Sequence, residues 1–420
     1  IGTETAPFTG SLNGDFHTIS NLLINDTSRS LWIESNGEVP RQYCLGLFGF
    51  AEDAIFSGIY LSGVHTELND PPEDARQAQF YGSICGLLSG EKEITVSFCN
   101  VEGSVTISHP NRSYAGGIIG STRGTISNCA NYVTLTIQDG QIICGGIIAN
   151  LVGSITQSTN YGQIDCYNPD GPDILSGGIV GSASGCNISL CQNRGNIRSE
   201  TKGWGWPTSA NYRHQTGGIV GLFEGGFPAE KTKVIAACEN YGNIEVISFT
   251  GYNIANSCCE NDDTGGICGG FACLSSSKWY GEISNCINYA TSIHAQRVKN
   301  VDGTLEYTDS PAVGRIGGHG TTSYYSYSNN ASDPATLLNG AVCTENIGAE
   351  TKNGANLGEE DTDDENGELN ISILEGTWSN GLPEDNYSGF YLTEFGSDGT
   401  VVQKGYRNID KGRFEITGAN

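Results

Sequence analysis

Gly116-Gly117-Ile118-Ile119-Gly120 returns as Gly145-Gly146-Ile147-Ile148-Ala149, Gly177-Gly178-Ile179-Val180-Gly181, Gly217-Gly218-Ile219-Val220-Gly221 and Gly265-Gly266-Ile267-Cys268-Gly269. Looser copies stand earlier, at Leu45-Gly46-Leu47-Phe48-Gly49 and Gly82-Ser83-Ile84-Cys85-Gly86, and a degraded Gly317-Gly318-His319-Gly320 comes late. A second element follows each copy, as in Ile126-Ser127-Asn128-Cys129-Ala130-Asn131-Tyr132 and Cys238-Glu239-Asn240-Tyr241-Gly242-Asn243-Ile244. Positions 99, 129, 158, 191, 238 and 286 are equivalent in it, in steps of 30, 29, 33, 47 and 48 residues. A period near thirty that grows by insertion marks one structural unit with loops added at fixed places.

Each unit carries three short runs: the Gly-Gly-Ile run, the Ile-x-x-Cys run and a Gly-x-Ile run. Each is bounded by Gly or Asn and is too short for a helix, so each reads as a strand. Three strands per unit without a helical crossover predict an all-β, right-handed parallel β-helix of about eight coils, rising about 4.8 Å per coil. Like residues then stack. Ile118, Ile147, Ile179, Ile219 and Ile267 form an inward aliphatic column. Cys99, Cys129, Cys191, Cys238 and Cys286 form a second, with Ser158 substituting once. Asn131, Asn160, Asn193, Asn240 and Asn288 form a third at a corner, where amides satisfy backbone groups left by the bend. The glycine pair permits close backbone approach at another corner.

Composition agrees. Glycine, at 59 of 420 residues, is roughly twice its usual share without a collagen period. Lys and Arg number 21 against 47 Asp and Glu, a net charge of −26. That field repels phosphate backbones and argues against a nucleic-acid partner. No apolar run is long enough for a transmembrane helix, so membrane insertion is not expected of this segment. The chain contains no Met, for which the sequence offers no physical reason.

The segment Phe8-Thr9-Gly10-Ser11-Leu12-Asn13-Gly14-Asp15-Phe16-His17-Thr18-Ile19-Ser20-Asn21-Leu22, with Gly46-Leu47-Phe48-Gly49 and the Gly-Gly-Ile-Val-Gly copies, resembles the GLUG-motif repeats of bacterial surface proteins. The resemblance covers roughly residues 1–345 and rests on the combination of motifs. It implies an exported β-helical region from a gut-type anaerobe, secreted or at the cell surface, in an adhesin-like protein. One such region lies beside a zinc peptidase for immunoglobulin A, whose His-Glu-x-x-His is absent here. Repeat regions of this family usually have sequence ahead of the Phe8 segment, so residue 1 is expected to lie inside a longer chain.

Fifteen cysteines in an exported chain raise the question of disulfides. Most fall at inward column positions, where free thiols act as small hydrophobes and parallel Cβ vectors disfavour bridging. Cys258, Cys259, Cys268 and Cys273 stand off the column, but their spacing is not a zinc pattern. In Asp361-Thr362-Asp363-Asp364-Glu365-Asn366-Gly367 the glycine arrives one residue late for a calcium loop and the twelfth position is Ser372, so it reads as a solvated linker. No metal or cofactor is expected. Catalysis by a β-helical carbohydrate-active enzyme, of polysaccharide lyase or glycosidase type, would need paired carboxylates on a sheet face. Here the acids gather in loops, and the reading preferred is a non-catalytic structural or adhesive scaffold.

The insertions suggest where binding sits. The connections at 138–143 and 166–176 are short, and those at 199–216, 248–264 and 294–316 are long. Stacking should set the long ones side by side on one edge, presenting Trp204, Trp206, Tyr212, His214, Tyr252, Asp262, Asp263 and Tyr307 to a glycan or a host or bacterial surface protein. The competing reading has Trp204 and Trp206 merely pinning their own loop. Beyond the repeats, 346–370 reads as an acidic linker or irregular last coil, and 371–420 as antiparallel strands capping the rod or forming a small β-domain.

Overall fold

The computed structural model describes residues 1–3, 6–25, 30–32, 42–69, 78–91, 94–169, 173–201, 213–225, 233–249, 263–271, 280–301, 304–319, 325–357, 391–395, 401–408 and 413–416. Among them there is no helix, and strands of successive repeats pair in parallel, an all-β arrangement of β-helix or β-roll type. A nine-stranded sheet, sheet I, carries Ala78–Gly82, Arg112–Gly116, Gln141–Gly145, Ile174–Gly177 and His214–Gly217. A fifteen-stranded sheet, sheet II, has two legs. One runs through Ile119–Thr122, Ile148–Leu151 and Val180–Ser184, the other through Thr125–Ser127, Ser154–Thr156 and Asn187–Ser189. The ten-residue strand Phe48–Ser57 pairs with both legs and joins them. Sheet III holds Asn100–Ser108, Ala130–Gln138, Ile164–Asn168, Ile197–Thr201, Ile244–Phe249 and Ser292–Val301.

Three strands per unit is therefore too few, and the Gly-Gly-Ile run is not a strand. It is the corner between sheets I and II: Gly116 ends one strand and Ile119 begins the next. The strand ahead of each glycine pair carries no sequence signal because its residues vary from repeat to repeat. The columns themselves are present. Ile118 N–H donates to Ile147 O at 3.0 Å, and the file continues through Ile179, Ile219, Ile267 and Ile316, all fully buried. Burying an aliphatic side chain contributes roughly 1.5–3 kcal/mol against conformational entropy, so this file, repeated along the axis, supplies much of the core.

The cysteine file stands at the corner between sheets II and III. The carbonyls of Cys99, Cys129, Ser158, Cys191 and Cys238 accept from the N–H groups of Ala130, Thr159, Gln192, Glu239 and Ile287, each one residue beyond the next position of the file. The residue before each file position is left-handed, with φ of 50–55° at Phe98, Asn128, Gln157, Leu190, Ala237 and Asn285. That twist leaves the carbonyl two residues before the cysteine within reach of its side chain. Cys99 Sγ donates to Ser97 O and Cys191 Sγ to Ser189 O, each at 3.2 Å, and Ser158 Oγ does the same to Thr156 O at 3.0 Å. A small side chain with one donor is what the corner requires, which is why Ser158 can interrupt a run of cysteines. All the described cysteines are free, and only Cys343 is not buried.

The asparagine file is a continuous amide ladder. Asn131 Nδ2 donates to Asn160 Oδ1 at 2.8 Å. Asn160 to Asn193, Asn193 to Asn240 and Asn240 to Asn288 follow at 2.9 Å, every residue fully buried. Asn131, Asn160, Asn193 and Asn240 also span their own bends, as where Asn160 Oδ1 accepts from Gly162 N at 3.1 Å while its Nδ2 donates to Gly162 O at 2.9 Å. The second glycine of each pair leaves room for the backbone carbonyl of the next repeat and for this ladder. A Cβ on Gly266 would stand 2.6 Å from Asn288 Cγ, and Gly117, Gly146, Gly178 and Gly218 meet their own asparagines in the same way. Where Ser83 replaces the glycine, the ladder position of that repeat is Val101; where Arg315 replaces it, the position is Ser332.

Arg315 closes the far end. It is fully buried, and its guanidinium donates to Asn353 O at 2.9 Å, Gly354 O at 3.1 Å and Asn356 Oδ1 at 2.8 Å. Ala355 N and Leu357 N bond back to Asn330 O and Ser332 O. Of the segment 346–370, residues 346–357 are described, and 358–370, with the acidic run, lies outside the described residues. Tyr391–Phe395, Val401–Asn408 and Arg413–Ile416 form a three-stranded antiparallel sheet.

Candidate binding faces

Strands flanking the three long insertions are in register: Ile197 pairs with Ile244 and Ile244 with Ile293, while Thr216 pairs with Thr264 and Thr264 with Val313. The insertions therefore leave sheet III and rejoin sheet I along one edge. Trp204, Trp206, Tyr212, Tyr252 and Asp262 lie outside the described residues. Tyr307 is 54% exposed on the strand Thr304–Asp309, which pairs antiparallel with Ser292–Val301, so much of the third insertion is a hairpin and not a loop.

His214 and Asp263 do not belong to an exposed face. His214 opens a strand of sheet I and points into the rod, where its Nε2 and Ser199 Oγ are 2.6 Å apart. Both residues are buried, so this Ser–His contact, which sequence spacing does not reveal, fills the interior and offers a substrate no approach. Asp263 is buried beside Gln215, whose Nε2 donates to Asp263 Oδ2 at 3.3 Å. At both places the strand starts earlier than the sequence suggests, because strand residues that are polar read like loop.

What the described residues do present at this edge is a polar row on the entry positions of sheet I. Gln141 Oε1 accepts from Arg112 Nε, Gln141 Nε2 donates to Asp173 Oδ2 at 2.6 Å, and Arg213 N donates to Asp173 Oδ1 at 2.9 Å. Arg112 Nη1 also reaches Tyr114 Oη at 3.3 Å, and Tyr114 stacks on Phe80 with centroids 4.6 Å apart. Burial pushes the Asp173 carboxyl above its usual range, against the Arg213 amide bond and the Arg213 and Arg112 charges. The row can accept and donate hydrogen bonds to a polar ligand. Its members sit about thirty to forty residues apart, so only the register, not a motif, brings them together.

Cys268 is in the core, while Cys258, Cys259 and Cys273 lie outside the described residues. Among the described residues no group of three or more His, Cys, Asp or Glu is placed to hold a metal ion. Comparison with family models, with curated proteins and with solved structures gave no match.

Proposed function

We propose that this chain is a non-catalytic, exported scaffold of the GLUG-repeat kind, a right-handed β-helix of about eight coils that displays a binding edge at a cell surface. The handedness follows the general preference of parallel crossovers. The observation that carries the reading is the unbroken register of the amide ladder from Asn131 to Asn288. The ladder side chains spend their hydrogen bonds on one another along the axis, and the result is a stiff body with insertions on one side. Function then belongs to what the edge holds: a glycan, or a protein of a host or bacterial surface. The charge of −26 keeps polyanions such as nucleic acid away, and no helix of the described residues is long and apolar enough to cross a membrane. The test is a glycan array run with a reducing-end assay on the same samples. Retention without release of reducing ends supports the scaffold; release would replace it with the carbohydrate-active enzyme.

A further inference from the structure

A second face lies on sheet III, one residue beyond the amide ladder. Each ladder asparagine points inward, so the residue after it points out, and those residues are Tyr132, Tyr161, Arg194, Tyr241 and Tyr289. Backbone bonds hold them in file: Tyr161 N to Asn131 O, Arg194 N to Asn160 O, Tyr241 N to Asn193 O and Tyr289 N to Asn240 O. Tyr132 and Tyr161 stack with centroids 4.5 Å apart and planes 1° from parallel, and Tyr241 and Tyr289 do so at 4.7 Å and 13°. The Arg194 guanidinium lies 4.5 Å from the Tyr241 centroid and donates Nε and Nη2 to Gln192 Oε1. Tyr241 Oη and Gln192 Nε2 both donate to Glu239 Oε2, at 2.7 and 3.1 Å. Tyr132 and Tyr161 remain 47% and 43% exposed.

We propose that this stripe is a binding site for a linear, uncharged glycan lying along the rod axis. The rings cover one another's faces, so what Tyr132 and Tyr161 offer outward is ring edges at one-coil spacing, with the Tyr241 hydroxyl engaged by Glu239 and the Tyr289 hydroxyl buried, and the row is held rigid before any ligand arrives. Arg194 Nη1 makes no protein hydrogen bond among the described residues and adds a fixed donor at mid-stripe. The file is one side chain wide and five long, flanked by the exposed polar Thr134, Gln163, Asn196 and Asn243. A stable protein partner needs a broad patch, about 800 Å² a side, whereas a polymer chain needs a line. The lone cation is balanced by Glu239, Glu102 and Asp333 occupy the next positions at the two ends, and the whole chain carries −26. Uncharged hydroxyl-rich polymers meet no repulsion there; polyuronates do.

The experiment is affinity electrophoresis and calorimetry of the whole chain with soluble uncharged β-glucans and with a polyuronate, for wild type, Tyr161→Ala, Tyr161→Phe and Arg194→Ala. The expected result is glucan binding that weakens about tenfold in Tyr161→Ala and Arg194→Ala. Tyr161→Phe keeps the stack and the melting temperature and still binds several-fold more weakly, which a purely structural ring would not show. Should Tyr161→Ala fail to fold, the Phe variant and Arg194→Ala decide. Failure of every uncharged glucan to bind, preference for the polyuronate, or variants that bind like wild type would each overturn the site. The scaffold reading survives those outcomes, since the glycan array with its reducing-end assay tests it separately.

Discussion

Replacing Asn193 by alanine cuts the amide ladder at its midpoint. Its side chain accepts from Asn160 Nδ2 at 2.9 Å, donates to Asn240 Oδ1 at 2.9 Å and to Gly195 O at 2.8 Å, and accepts from Gly195 N at 3.3 Å. Asn160 Nδ2 keeps its bond to Gly162 O, and Asn240 Oδ1 keeps its bond from Gly242 N. The Gly195 N–H and carbonyl lose their side-chain partner inside the rod. Stranding a buried polar group costs about 1–3 kcal/mol, so two put the loss at about 2–6 kcal/mol. Asn193→Asp is the sharper probe, because it keeps the shape and replaces a donor by an oxygen facing two acceptors. Burial and those acceptors raise the folded carboxyl above its unfolded value of about 3.9. The folded chain then binds more protons than the unfolded one. Stability of the variant relative to wild type is therefore greatest below the unfolded value and falls as pH rises through the folded one. Urea midpoints of both variants against wild type, at about pH 3.5, just below the unfolded value, and at about pH 8, measure this. Every tenfold weakening of the carboxyl's acidity on folding costs the ionised variant about 1.4 kcal/mol, so the Asp variant should lose at least that much more at the higher pH. A loss below about 1 kcal/mol for alanine, or no pH dependence for aspartate, would refute the ladder as a stabilising element.

The glycine–asparagine coupling predicts a double-mutant cycle: Val101→Asn alone should destabilise, because the Ser83 Cβ occupies the space its amide needs, and Ser83→Gly should restore most of the loss. An interaction energy within about 0.5 kcal/mol of zero would count against it. Burial pushes the Cys44 and Cys186 thiols up to about 12, so alkylation of the native chain at about pH 8 should label Cys343 fastest among the described cysteines, with peptide mapping as the readout. Arg315→Met should strand the carbonyls of Asn353 and Gly354, lower the unfolding free energy by about 2 kcal/mol or more in a urea titration, and speed hydrogen exchange across 331–357. Unchanged exchange there would show that the end does not depend on Arg315.

How much of the fold is legible in the sequence depends on whether a residue's role repeats. The isoleucine, cysteine and asparagine files are visible because each sits at a corner where geometry admits few side chains, so the same letter returns in nearly every coil. Sheet I is invisible because its inward position runs Tyr81, Ala115, Cys144, Ser176, Thr216, a series with no common chemistry beyond fitting the interior. The glycine pair reads rightly as a corner, yet its partner does not show. Nothing in Gly117 taken alone points to Asn131, although every full copy of one motif is followed by the other.

The same logic explains why the tyrosine file does not announce itself. Asn-Tyr recurs at 131–132, 160–161, 240–241 and 288–289, and a corner accounts for the asparagine. No corner accounts for the tyrosine. On a parallel stack an outward position is free of backbone constraint and need not repeat, as the neighbouring outward series Asp165, Arg198, Glu245, His294 shows by changing at every coil. An outward residue that does repeat is held either by its like neighbour, through stacking, or by something outside the chain. Stacking accounts for Tyr132 with Tyr161 and for Tyr241 with Tyr289, whereas the exposed Arg194 between the pairs lies over the Tyr241 ring and bonds Gln192, a place that another tyrosine would also fill. Arg194 is thus the residue at which a structural ladder and a binding stripe predict different things. Arg194→Tyr should stabilise the rod if the file is only a stack, and should weaken glucan binding if it is a site.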